Sequence, residues 1–270
     1  MGGSIGRSAG QAFDGRHRAN VPQPPCYSKR ANGPRQKVRW RVAGGSQTGA
    51  SDTERAPLQR TSWYAGGVDP VHAPYLREPD LSLMNVHDCT LVIVPGHGNS
   101  GPQHWQTLLE QAHPRSVRVI QRHWNLPLRW QWTGALNRTL DAVAGPVILV
   151  GHSAGAMTIV HAASRDRPQV VGALLVAPPD MEARLPGMPA PWMVRLAGWR
   201  PIPTARLPWR SIVVASSNDP MCSILRSREF AGHWGSELVE LDEAGHVNTD
   251  AGFGSWPGVQ PLLASLCVQA

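Results

Sequence analysis

The sequence predicts an α/β fold: a doubly wound, mainly parallel sheet of about six strands in the order 2-1-3-4-5-6, flanked by helices and preceded by a disordered N-terminal extension. Three observations carry this reading. From Cys89 onward, short runs rich in Val, Ile and Leu alternate with longer runs of helical periodicity. The short runs lack a clean apolar–polar alternation, as strands buried on both faces do. One junction between the two kinds of run, Gly151-His152-Ser153-Ala154-Gly155, brackets a serine with glycines.

The elements follow in order. The expected strands are "CTLVIVP" (89–95), "SVRVIQ" (116–121), "PVILVG" (146–151), "VVGALLVA" (170–177), "SIVVAS" (211–216) and "ELVELD" (237–242). The first expected helix is "GPQHWQTLLEQA", with Asn99 and Ser100 as N-cap candidates and Pro102 near its first turn. "LRWQWTGALNRTLDAV", "AGAMTIVHAAS", "CSILRSREFAGHWG" and "PGVQPLLASLCV" supply the others. Residues 178–209, rich in Pro and Trp, break the alternation and read as an irregular cap over one end of the sheet.

Residues 1–83 differ in kind. They are rich in Pro, Gly, Ser and Arg, show no sustained periodicity, and offer too little apolar surface to offset their ordering entropy. They are expected to be a disordered basic extension, with residues 84–270 forming the folded domain. Met84 opens a stretch that reads like a natural domain start, so an over-extended gene start is the second reading of this segment. Residues 1–83 hold 12 of the 26 basic and 6 of the 19 acidic residues, a net of +6 out of the chain's +7. The high pI therefore says little about what the folded part binds, and no nucleic-acid partner is expected. No apolar run reaches the length of about 18 residues needed to span a membrane. Cys26, Cys89, Cys222 and Cys267 form no CxxC or Cys/His pattern, so no metal site and no disulfide framework are expected. A reducing, cytoplasmic compartment fits that usage.

The G-x-S-x-G junction follows a strand and opens a helix, the context in which a serine can be held out on a sharp turn as a nucleophile. Glycines two residues to either side leave room for that turn. A serine hydroxyl needs a base, and the base needs an orienting acid. After the fifth expected strand, "SSNDPM" supplies Asp219; after the sixth, "EAGHVN" supplies His246. Both lie just past strand carboxyl ends, where sites in open α/β sheets form. Asp180, in "APPD" after the fourth strand, is the alternative acid. The Ala154 N–H, at the start of the following helix, is one expected oxyanion donor. The order 2-1-3 puts the first strand beside the third, so the other donor is expected from "PGHGNSG", as the main-chain N–H of His97 or Gly98. The same loop lacks the spacing of a nucleotide-binding glycine motif.

The stretches "VIVPGHGNSGPQHWQ", "QRHWNLPLRWQW", "VGHSAGAM", "SSNDP" and "AGHVN" together resemble the YdeN-type small serine hydrolases of the α/β-hydrolase superfamily, whose animal members bind the retinoblastoma protein. The resemblance covers most of residues 86–268 and none of residues 1–83. It implies a compact α/β-hydrolase fold without the first two strands of larger relatives, no metal or organic cofactor, and Ser153, Asp219 and His246 as the catalytic triad. It also implies hydrolysis of carboxylic esters or amides, with small-molecule esters as the expected substrates. The retinoblastoma-binding LxCxE motif is absent here, so that partner is not carried over. Trp105 and Trp124 follow strand ends on the active-site side and are candidates either to wall a substrate pocket or to pin the core. A non-catalytic binding module with the same fold is the alternative function.

Overall fold

The computed structural model describes residues 38–41, 85–183 and 197–267. One mixed sheet of seven strands organises these residues: β1 (Val38–Arg41), β2 (Thr90–Val94), β3 (Ser116–Arg118), β4 (Val147–His152), β5 (Val170–Val176), β6 (Arg210–Ser216) and β7 (Glu237–Leu241). The spatial order is β1-β7-β6-β5-β4-β2-β3. Counted from β2, the six strands β2–β7 are parallel and follow the order 2-1-3-4-5-6.

β1 was not foreseen. It pairs antiparallel with β7, Val38 opposite Leu241 and Arg41 opposite Leu238. At these four residues the expectation of a disordered segment does not hold; the remainder of residues 1–83 lies outside the described residues. Four residues among Pro, Gly and Arg carry too little periodicity to mark a strand, and what stabilises them is the open backbone edge of β7. An antiparallel edge strand on a parallel sheet is a common arrangement.

The central strands send alternate side chains to two separate cores. Val92 and Val94, Leu149, Leu175 and Val213 enter one; Leu91 and Ile93, Ile148, Leu174 and Ile212 enter the other. Both sets are apolar because both faces are covered, which is why the sequence showed no alternation. Helices α2 (Arg129–Ala142), α3 (Ala154–Ala162) and α4 (Ile224–Trp234) cover the first face through Trp132, Met157 and Phe230. Helices α1 (Trp105–Ala112) and α5 (Val259–Cys267) cover the second through Trp105, Leu109 and Leu263.

Two local expectations are corrected. The N-cap of α1 is His104, whose Nδ1 accepts the Gln106 N–H at 3.2 Å, and not Asn99 or Ser100. Those two are drawn into the preceding loop, where Asn99 takes φ 68° and the Ser100 hydroxyl donates to Gln106 Oε1 at 2.7 Å. β3 ends at Arg118 rather than running on to Gln121. Of the expected cap, 178–183 and 197–209 are described, and Arg200 joins the two pieces by donating to the Met181 and Ala183 carbonyls. The Trp199 indole donates to the Pro127 carbonyl just before α2, and the Leu207 N–H donates to the Trp234 carbonyl at the far end of α4. Residues 184–196 lie outside the described residues. Among the described residues Cys89, Cys222 and Cys267 are free buried thiols, and no helix is long and apolar enough to cross a membrane.

Candidate active site

β4 runs into α3 with no loop between them. His152 is the last strand residue, Ala154 the first helical one, and Ser153 makes the whole turn at φ 53°, ψ −125°. A non-glycine residue in that region is held there by its surroundings. The flanking glycines are required by close approach. A Cβ on Gly151 would lie 2.7 Å from Ala156 Cα, and one on Gly155 would run into the Val94 carbonyl oxygen. The elbow is thus packed directly against the end of β2.

The turn brings together the three groups expected from the sequence. His246 Nε2 lies 2.9 Å from Ser153 Oγ, and His246 Nδ1 lies 2.9 Å from both Asp219 carboxylate oxygens. The carboxylate can only accept, so Nδ1 carries the proton and Nε2 accepts from the serine hydroxyl. The Asp219 side chain is 2% exposed and that of His246 15%, so the carboxylate is shielded from water and the imidazole is the more accessible of the two. Asp180 is engaged elsewhere, beside Arg226 at 3.4 Å and accepting the Glu182 N–H at 3.0 Å.

The loops bearing Asp219 and His246 are stitched to each other. The Ser216 hydroxyl donates to Asn218 Oδ1 and accepts from the Ala244 N–H, and Asn218 Oδ1 accepts from the Gly245 N–H at 2.7 Å. The "SSND" of the sequence is therefore more than the setting of an acid: its polar side chains satisfy the backbone of the next loop.

On the oxyanion side, Ala154 opens α3, so its N–H has no acceptor within the helix. The expected partner loop lies where the strand order required it, with Gly96 so near that a Cβ there would sit 2.9 Å from Ser153 Cβ. Of the two candidate donors, Gly98 is withdrawn: its N–H donates to the Trp124 carbonyl at 3.1 Å. Exposed His97 keeps the role of candidate. The loop itself is held by Arg118, which donates to Asn99 Oδ1 and to the Ser100 carbonyl while its remaining N–H groups engage Glu110 and Thr107. Gln106, wholly buried, donates to the carbonyls of both Val94 and Val150 and so ties the ends of β2 and β4 together.

Neither tryptophan was read fully from the sequence. Trp105 is 1% exposed and its indole N–H donates to the Val247 carbonyl at 3.0 Å, so it pins the loop that bears His246. Trp124 is half-buried, edge-on to Trp132, and its carbonyl is the acceptor that fixes Gly98. His152, Gln106 and Arg118 were missed. Only the placement of His152 inside the G-x-S-x-G junction could have flagged it; Gln106 and Arg118 read as ordinary helix and strand polar residues until the loops are folded onto them. Among the described residues, no group of three or more His, Cys, Asp or Glu side chains is placed to hold a metal ion.

Comparison with known proteins decides the family. The serine hydrolase family model matches residues 91–265. The chain belongs to the serine hydrolase family. A solved structure of a YdeN-like hydrolase from Pectobacterium atrosepticum is 34% identical, with 67% of this chain and 91% of that one covered and a TM-score of 0.59. The ydeN gene product of Bacillus subtilis is 21% identical over 66% of this chain and 98% of its own, with a TM-score of 0.53. Est1E from Butyrivibrio proteoclasticus, solved with ferulic acid bound, shares the fold at 13% identity, 67% and 88% coverage and a TM-score of 0.52. No curated protein matches. This serine hydrolase is thus of the YdeN type, within the α/β-hydrolase superfamily.

Proposed function

We propose that this serine hydrolase is a carboxylesterase for small esters that works through an acyl-enzyme on Ser153. The observation that supports the reading is the unbroken relay of 2.9 Å hydrogen bonds from Ser153 through His246 to Asp219, anchored on a strained elbow. Ser153 Oγ attacks the ester carbonyl as its proton passes to His246 Nε2. Asp219 holds the ring in the productive tautomer and stabilises the imidazolium without taking the proton. Negative charge on the former carbonyl oxygen is met by the N–H groups of Ala154 and His97, fixed main-chain donors that need not reorganise as the charge develops. The imidazolium then gives its proton to the departing alcohol. A water, deprotonated by the same histidine, attacks the acyl-enzyme and releases the acid and free Ser153.

A fluorophosphonate probe tests this directly. The intact protein should be labelled on Ser153, and Ser153→Ala should lose both the label and p-nitrophenyl acetate hydrolysis while keeping its fold. Failure of the intact protein to take the label removes the acyl-enzyme reading and favours a non-catalytic role for the fold.

A further inference from the structure

We infer that His152, the residue before the nucleophile, is a positioning residue that holds the main chain of the base. The inference rests on the reading of His246 as that base. His152 Nε2 lies 2.9 Å from the main-chain carbonyl oxygen of His246. A carbonyl only accepts, so Nε2 carries the proton and donates. His246 is thereby gripped twice: its ring by Ser153 and Asp219, its backbone by the side chain next to Ser153 in the chain. The nucleophile-to-base spacing is set by one peptide link and one hydrogen bond, both starting on β4.

The loop around His246 needs such a grip. Gly245 has φ 56° and Val247 has φ 49°. Left-handed backbone at a β-branched residue is strongly disfavoured, so the loop does not hold this shape by its own preference. Two buried donors hold it from outside, His152 at the His246 carbonyl and Trp105 at the Val247 carbonyl.

The surroundings keep His152 neutral. It is 5% exposed, and its ring is faced by His104 at 4.8 Å, by His246 at 5.1 Å and by the Trp105 ring at 6.1 Å between centroids. Among the described residues, the titratable groups that face its ring are these two histidines. Burial first, then His246 and His104, hold its pKa well below the ordinary histidine range. A neutral donor at this place keeps a second positive charge away from the imidazolium that forms during turnover.

Two substitutions and one measurement test the inference. His152→Gln keeps an N–H three bonds from Cβ, as Nε2 is in histidine; His152→Leu fills similar space without a donor. In folded protein, His152→Leu should lower kcat for a p-nitrophenyl ester on the order of 10²-fold with KM little changed, and His152→Gln should restore most of it. The rate of fluorophosphonate labelling should follow kcat. Nitrogen-15 NMR of the intact protein should find His152 as the neutral Nε2–H tautomer throughout pH 5 to 8, a result that needs no variant to fold. Wild-type kcat in folded His152→Leu, equal loss in the glutamine and leucine variants, or a His152 found charged or protonated on Nδ1 alone at pH 7 each overturns the inference. A wild-type protein that neither labels nor turns over esters defeats the proposed function instead, and the NMR result still decides the hydrogen bond.

Discussion

The indole N–H of Trp105, at the first position of α1, donates to the main-chain carbonyl of Val247, the residue that follows His246, at 3.0 Å. A helix on one face of the sheet thereby fixes a loop that follows the last strand. Trp105→Phe keeps most of the packing and leaves that buried carbonyl without its donor, a cost of about 1–3 kcal/mol. The variant should melt several degrees lower and lose kcat more than it raises KM, because the base shifts while the binding surface stays. Calorimetry together with ester kinetics reads both; wild-type values in the two would show that the bond is idle.

The two acids separate cleanly. Asp219→Asn should lower kcat on the order of 10⁴-fold, since the asparagine presents the wrong partner to His246 Nδ1. Asp180→Asn should leave turnover near wild type, because Asp180 meets Arg226, which keeps Glu182 and Glu229 as partners. The opposite ranking in steady-state kinetics would move the acid to the loop after β5.

The glycines around the elbow differ in what they protect. A Cβ at position 155 meets the Val94 carbonyl, a backbone atom at the end of a buried strand. Gly155→Ala should cost at least the upper part of the range of about 1–3 kcal/mol for overpacking, a fall in Tm of roughly 6–12 °C. Gly96→Ala instead crowds Ser153 Cβ at 2.9 Å and the His152 carbonyl at 3.0 Å. It should fold and show its main defect in kcat, by displacing the oxyanion loop. Thermal melts of the purified variants beside their turnover distinguish the two.

Acid should destabilise the fold through two histidines, buried His104 and half-buried His161. Burial, with help from Arg118 and His246, pushes His104 down to about 4, and burial with Arg129 does the same to His161. In the unfolded chain each takes up a proton near pH ~6.5. Between those values the unfolded state binds more protons, so stability rises with pH and is lost as pH falls from about 6.5 toward 4. The Tm should drop across that window, and His161→Gln, on α3 away from the hydrogen-bonded relay, should flatten the drop. A Tm that is level from pH 7.5 to 4.5 would contradict the assignment.

A chain beginning at Met84 should keep its ester hydrolysis. The relay, the elbow and the oxyanion loop all lie beyond residue 94, and the parallel six-stranded part is complete without residues 1–83. Losing Val38–Arg41 uncovers the edge of β7, an unpaired strand edge open to other chains. Retained kcat/KM with increased self-association in light scattering is the expected pattern. Loss of activity would put the N-terminal segment inside the working fold.

What the sequence determined by itself was whatever repeats or is local. Runs of Val, Ile and Leu covered on both faces announced six parallel strands, and the glycines around Ser153 announced a crowded turn, because each follows from the geometry of a few neighbouring residues. The chain order Ser153, Asp219, His246 was legible for a related reason: strand ends recur at regular intervals, and the loops after them share one edge of the sheet. The tertiary structure decided what depends on partners distant in sequence. It chose His104 over Ser100 as the cap of α1, engaged Asp180 with Arg226, and withdrew the Gly98 N–H to Trp124. It added β1, whose four residues have a place only beside β7. It also gave His152, Gln106 and Trp105 their buried acceptors on other elements. A hydrogen bond between residues some 90 or 140 positions apart leaves no periodicity in the chain, so the support of the site becomes visible only once packing has brought its donors and acceptors within 3 Å.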